Sequence, residues 1–175
     1  MSDTYYVKTF GGLEITNDNV TVNIVELFGK QLVNLLQVLL FHSEKPVQKD
    51  ELIDILWPES KNPSSALKFS IFRLRAELNE IEFFKDKEVI VTTRKGYILN
   101  PNLDWNIDFV ELEKAYNQIN DGSELLDEKE FKTARKIFRL YQGRFYASPS
   151  QLHWILQKQE IFRQMYVKTM MRTSC

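Results

Sequence analysis

Between Ser65 and Ala76 the chain reads SALKFSIFRLRA, a stretch rich in side chains that bind polyanions and read base edges. Lys68, Arg73 and Arg75 can pair with phosphates or with guanine O6 and N7. The rings of Phe69 and Phe72 suit thymine methyls. At about 100° per residue, Ile71, Leu74 and Leu78 fall within about forty degrees of Leu67, which is a core stripe. Ser65, Phe69, Phe72 and Ala76 then fall on the opposite side, with Lys68 and Arg75 along one edge and Arg73 along the other. On the wheel alone the two phenylalanines are equally well explained by burial under the N-terminal residues or under a partner. A second basic pair, Arg94-Lys95, stands beside Gly96 between two short strand-like runs.

Other chemistries lack their residues. His42 and His153 are distant in sequence, with no Cys/His/Asp cluster at metal-ligand spacing, so no metal or cofactor is expected. The chain has no GxxxxGK[ST], GxGxxG or GxSxG, and so no phosphate-cradling loop or nucleophile elbow. Asp50, Glu51 and Asp54 share the exposed side of one short helix and read as solvated charge. Cys175, the single cysteine, is terminal and supports no disulfide framework. The expectation is a protein that is not an enzyme.

Composition fits a soluble globular chain of 175 residues, 43% hydrophobic and 27% charged. Apolar runs such as Leu35 to Phe41 are too short to cross a bilayer, and MSDTYYVK lacks the pattern of an export signal. A cytoplasmic location is expected, with no membrane partner. Net charge is −1, and residues 1–100 hold 12 Lys/Arg against 14 Asp/Glu. Distribution outweighs that sum. From Lys61 to Ala76 there are four cations and no acid, and from Val89 to Leu103 two cations and no acid.

These groups need a scaffold. YYVKTF, LEIT and VTVNI, separated by GG and NDN, read as three antiparallel strands. Glu26 to His42 reads as one helix whose face includes Leu27, Leu32, Leu35, Leu36, Leu39 and Leu40. A second helix spans about Lys49 to Trp57 and is stopped by Pro58. After the loop Pro58 to Asn62, Pro63 and Ser64 open the helix 64–79. Two short strands around Gly96 follow, and Pro101 closes this half. The remainder reads as helices over 108–119, 129–141 and 151–171, with an aromatic loop from Gly143 to Pro149. Ala134-x-x-x-Phe138 is a weak tetratricopeptide-like feature.

Sheet, three helices and a hairpin ending in Gly96-Tyr97 resemble the winged-helix domain of OmpR-type bacterial regulators. LLQVLLFHSEKPVQKDELIDILWPE, SALKFSIFRLRAEL and VTTRKGYILN are similar to segments of the SARP (Streptomyces antibiotic regulatory protein) type of activator. NIDFVELEKAY and LYQGRFYASPSQLHWILQKQEIFRQMY resemble the helical bacterial transcriptional activator module that follows the wing in that family. The resemblance implies an α+β protein: an OmpR-type winged-helix DNA-binding domain over 1–102, then an all-α tetratricopeptide-like module over 103–175. It implies a sequence-specific transcriptional regulator, an activator in that family's manner, binding double-stranded DNA and direct repeats as a dimer. Ser65, Lys68, Phe69, Phe72 and Arg73 would face bases, Arg75 would lie nearer the backbone, and Arg94 and Lys95 would be wing contacts. Pro58, Glu59, Ser60, Lys61 and Asn62 would meet RNA polymerase, the helical half would mediate a homodimer or hold another protein, and Trp57 would be structural.

This sequence departs from the family in several places. Phe72 is bulky and apolar where many relatives carry a polar or basic side chain. Gln48 stands where a Ser or Thr cap is usual, at a cost of roughly 1 kcal/mol. The helical module stops at MRTSC, about half the usual length, which leaves an apolar face to be covered unless the chain is a fragment. The alternative reading is a protein-interaction module that has lost DNA binding and uses Phe69 and Phe72 as interface anchors.

Overall fold

A computed structural model describes residues 4–119, 126–147 and 152–174. The first elements are strands β1 (Thr4–Lys8), β2 (Glu14–Asn17) and β3 (Val20–Asn23). Helices α1 (Ile24–Leu27), α2 (Lys30–Phe41), α3 (Lys49–Leu56) and α4 (Pro63–Asn79) follow, then a 3-10 turn (Glu82–Phe84). Hairpin strands β4 (Ile90–Thr93) and β5 (Gly96–Leu99) precede strand β6 (Asp104–Ile107) and helices α5 (Asp108–Gln118), α6 (Glu128–Leu140) and α7 (His153–Thr173). Among the described residues no helix is long and apolar enough to cross a membrane. The expected α+β class holds: a winged-helix arrangement with a small sheet, followed by a helical region.

The chain forms two compact units, one of Thr4 with Asn17–Asp104, the other of Tyr5–Thr16 with the described residues from Trp105 onward. The first unit packs α2, α3 and α4 against one another and β5 against α2. Its core comprises Leu35, Leu36, Leu39 and Leu40 of α2, Leu52 of α3, the α4 stripe and Phe84, all buried. The expected single helix over 26–42 is in fact two. Phe28 and Gly29 adopt extended backbone, α2 starts afresh after Gly29, and α1 is one short turn. Leu27 therefore leaves the apolar face assigned to it and is 55% exposed. The α3 boundary matches expectation, and its N-cap Gln48 makes no side-chain capping bond.

In the second unit β1 pairs antiparallel with β2 in the register Tyr6–Thr16, Val7–Ile15, Lys8–Glu14. On the other edge of β1 lies β6, a strand too short to show in a sequence that turns helical at once. Helix α5 packs on α6, and α6 on α7. The sequence division at 102 separates residues 5–16 from the helical half, whereas their contacts lie with that half. The physical reason is a polar clasp and a ring cluster. The buried Asp108 carboxylate accepts from Thr9 N (2.8 Å), Phe10 N (3.1 Å) and the Thr9 hydroxyl. Burial raises its pKa, and these bonds oppose the rise. Phe10 meets Phe162 edge-on at 5.3 Å and Phe145 at 5.9 Å, and Phe145 lies 5.6 Å from Phe109. The aromatic loop read from the sequence thus becomes core, with Tyr146 N donating to Thr9 O (2.7 Å). Its last residues, Ser148 and Pro149, like Gln151 and Cys175, lie outside the described residues.

Candidate nucleic-acid interface

Helix α4 carries the arrangement read from the sequence. Pro63 occupies its first turn, and Ala66 N donates to Asn62 O at 3.2 Å. Leu67, Ile71, Leu74 and Leu78 are buried, joined by Ser70. On the opposite side Ser65, Phe69, Phe72 and Ala76 are exposed, Phe69 at 61% and Phe72 at 70%. No part of the first unit covers the two rings, so burial within this fold does not explain them.

The cations divide by role. Lys68 is exposed. Arg73 is exposed too, its guanidinium 5.9 Å from the Phe69 ring and 3.7 Å from Glu77. Such exposed contacts contribute at most about 1 kcal/mol each, so they leave Arg73 free to move toward a ligand. Arg75 differs, being half-buried. Its Nε donates to Ile90 O (3.2 Å), a terminal nitrogen donates to Thr92 Oγ1 (2.7 Å), and the guanidinium lies 6.0 Å from the Tyr97 ring. Arg75 thus ties α4 to the hairpin.

The hairpin pairs Ile90–Leu99, Val91–Ile98, Thr92–Tyr97 and Thr93–Gly96, which leaves Arg94 and Lys95 exposed at its tip. Thr93 Oγ1 shapes that tip by accepting from Lys95 N (3.1 Å) and Gly96 N (3.2 Å). Gly96 has φ +142°, and a Cβ there would sit 1.9 Å from Val47 O. Only a residue without Cβ lets Val47 and Tyr97 exchange two backbone hydrogen bonds, at 2.8 and 3.0 Å. The sequence marked Gly96 as a turn residue, but its closest neighbour is a loop some fifty positions earlier.

Pro58, Glu59, Ser60, Lys61 and Asn62 are exposed in the loop that joins α3 to the start of α4, held by Ser60 N to Trp57 O (3.3 Å) and Asn62 N to Ser60 Oγ (3.2 Å). Trp57 caps α3 and is half-buried, consistent with a structural role. Sequence reasoning missed Lys49. Its Nζ lies 5.9 Å from the Tyr97 ring, beside the wing, yet it belongs to neither basic segment and nothing in its neighbours marks it. The arrangement presents a helix face of small, aromatic and cationic groups, braced against a hairpin with two cations at its tip. Among the described residues no group of His, Cys, Asp or Glu is placed to hold a metal ion.

Residues 23–99 match the family model described as "Transcriptional regulatory protein, C terminal". Among solved structures, Mycobacterium tuberculosis EmbR in complex with a low-affinity phosphopeptide superposes with a TM-score of 0.62 at 17% identity. That match covers 95% of this chain and 43% of EmbR, so the chain spans under half the length of that relative and shares its fold. The DNA-binding domain of Escherichia coli CadC is similar at 25% identity and a TM-score of 0.40, over 53% of this chain and 87% of that domain. No curated protein sequence matches. The domain match supports the resemblance to transcriptional regulators over residues 23–99, and the likeness to EmbR supports the fold.

Proposed function

With residues 23–99 carrying a transcription-regulator domain, we propose that this protein binds specific DNA sequences and activates transcription. Helix α4 enters the major groove, where Ser65, Lys68, Phe69, Phe72 and Arg73 face base edges and Arg94 and Lys95 reach phosphates. Arg75 positions the wing from behind. The loop 58–62 meets RNA polymerase, and two copies bind direct repeats, with the helical half holding them together or engaging another protein. The observation that carries this reading is the exposure of Phe69 and Phe72 between Lys68 and Arg73, on a helix whose opposite face is fully buried. Solvated phenyl rings at such positions gain from contact with thymine methyls and sugar edges, while the cations neutralise phosphate.

The test is selection from random duplexes followed by fluorescence anisotropy on the enriched sequence. An enriched motif, bound with strong salt dependence and lost in Arg73→Ala and Phe72→Ala, supports the reading. No enrichment, with binding equally weak for all duplexes, refutes it. The same exposed rings favour a second reading, in which Phe69 and Phe72 anchor a protein interface. Under that reading Phe72→Ala abolishes a protein complex while non-specific DNA affinity stays unchanged.

A further inference from the structure

The break between α1 and α2 places Leu27 in a groove of about 520 Å³ in the first unit, formed by β3, α1, the C-terminal end of α4 and the 3-10 turn. Its floor is apolar. Val20 and Leu27 are each 55% exposed, and Ile81 and Phe83 line it beside them. Its rim is acidic, with Glu26, Glu77, Glu80 and Glu82 around the opening and no cation among the lining residues. Glu77 pairs with Arg73, whereas Glu26, Glu80 and Glu82 make no ion pair among the described residues. Exposed apolar groups inside a ring of like charge select their occupant. An uncharged apolar cover would desolvate the carboxylates without replacing their lost water, and a phosphate-bearing one would be repelled. Phosphate-bearing DNA is therefore disfavoured as its occupant.

We propose that this groove is a docking site for a cationic amphipathic segment of a partner protein. One or two apolar side chains enter between Leu27 and Phe83, and flanking Lys or Arg side chains pair with Glu26, Glu80 and Glu82. So small a footprint gives a transient contact, with a Kd on the order of 10–100 μM at low salt. The assignment is independent of the DNA reading.

The experiment titrates the full chain into a labelled 14-residue Lys/Leu amphipathic peptide at low and moderate salt. Glu/Leu and Lys/Ser peptides of equal length are run beside it, and circular dichroism confirms that each variant is folded. Supporting results are binding of the Lys/Leu peptide alone, weakened at least 5-fold in Leu27→Ser and in Glu80→Lys/Glu82→Lys. Glu44→Lys/Glu51→Lys, the same charge change outside the groove, should then have little effect. Equal weakening by both lysine pairs would mean general charge attraction and would overturn the site, as would comparable binding of the Glu/Leu or Lys/Ser peptide. Concentration-dependent self-association of the chain that Leu27→Ser abolishes would make a second copy the occupant and overturn the partner assignment. Anisotropy of the selected duplex, measured on Leu27→Ser, should match wild type whichever way the peptide experiment falls.

Discussion

Arg75 offers a sharp distinction between a positioning residue and a DNA contact. Its guanidinium makes hydrogen bonds of 3.2 and 2.7 Å to β4 and lies 6.0 Å from the Tyr97 ring. Hydrogen bonds from a charged donor contribute roughly 1.5–3 kcal/mol when buried, and a partly exposed cation–π contact about 0.5–1. Because Arg75 is half-buried and Thr92 is exposed, solvent screening takes the sum below these buried-site figures, and Arg75→Ala should cost about 2–3 kcal/mol. For a urea m-value of about 2 kcal/mol/M, that moves the unfolding midpoint down by about 1 M. Arg75→Lys should recover little, since an ammonium cannot reproduce the planar fork. The second readout is the salt dependence of DNA binding. Loss of one phosphate contact flattens the log–log slope by about 0.9, and Arg94→Ala should do so with little change in stability. Arg75→Ala should show the reverse, a lower midpoint with an unchanged slope. An unchanged midpoint together with a flattened slope would refute the reasoning and make Arg75 a backbone contact.

Gly96→Ala should cost about 3–5 kcal/mol, from strain at φ +142° and loss of the two Val47–Tyr97 hydrogen bonds; thermal unfolding checks this. Gln48→Ser should stabilise the protein by about 1 kcal/mol, because the uncapped α3 already has extended backbone at that position; chemical denaturation measures it. Asp108→Ala leaves two backbone N–H groups and a hydroxyl without their acceptor and should destabilise the second unit by about 2–4 kcal/mol. The pH dependence follows from the raised pKa of Asp108. The folded state holds this proton more tightly than the unfolded chain, so the contribution is complete below the ordinary aspartate value and is lost as pH rises through the folded one. The stability of wild type minus that of Asp108→Asn should therefore fall between acid and neutral pH. A gap that widens instead would show the hydrogen bonds outweighing burial.

Whatever depends on neighbours along one helix could be read directly. The α4 stripe, the outward placement of Ser65, Phe69 and Phe72, the uncapped Gln48 and the turn at Gly96 all follow from helical period or local backbone preference, and all are found. The candidate site was legible to that extent. Leu27 was misplaced because an apolar period runs smoothly through Phe28-Gly29 in the sequence, while the backbone does not. Arg75 read as a contact near the DNA backbone, whereas the hairpin, 15 to 17 positions later, engages its guanidinium. Lys49 carried no signal, since its partner Tyr97 is more remote still in sequence.

Local sequence by itself thus determined the buried stripe of α4, the start of that helix at Pro63 and the outward placement of Ser65, Phe69 and Phe72. Tertiary structure decided which of the α4 cations are already engaged, and that residues 5–16 pack with the helical half through Asp108 and Phe10. It also decided that an acidic rim closes around Val20 and Leu27. The physical reason is one of range. Helical period and capping act over a few residues, whereas hydrogen bonds, ring contacts and clustered charge depend on groups that only folding brings within reach.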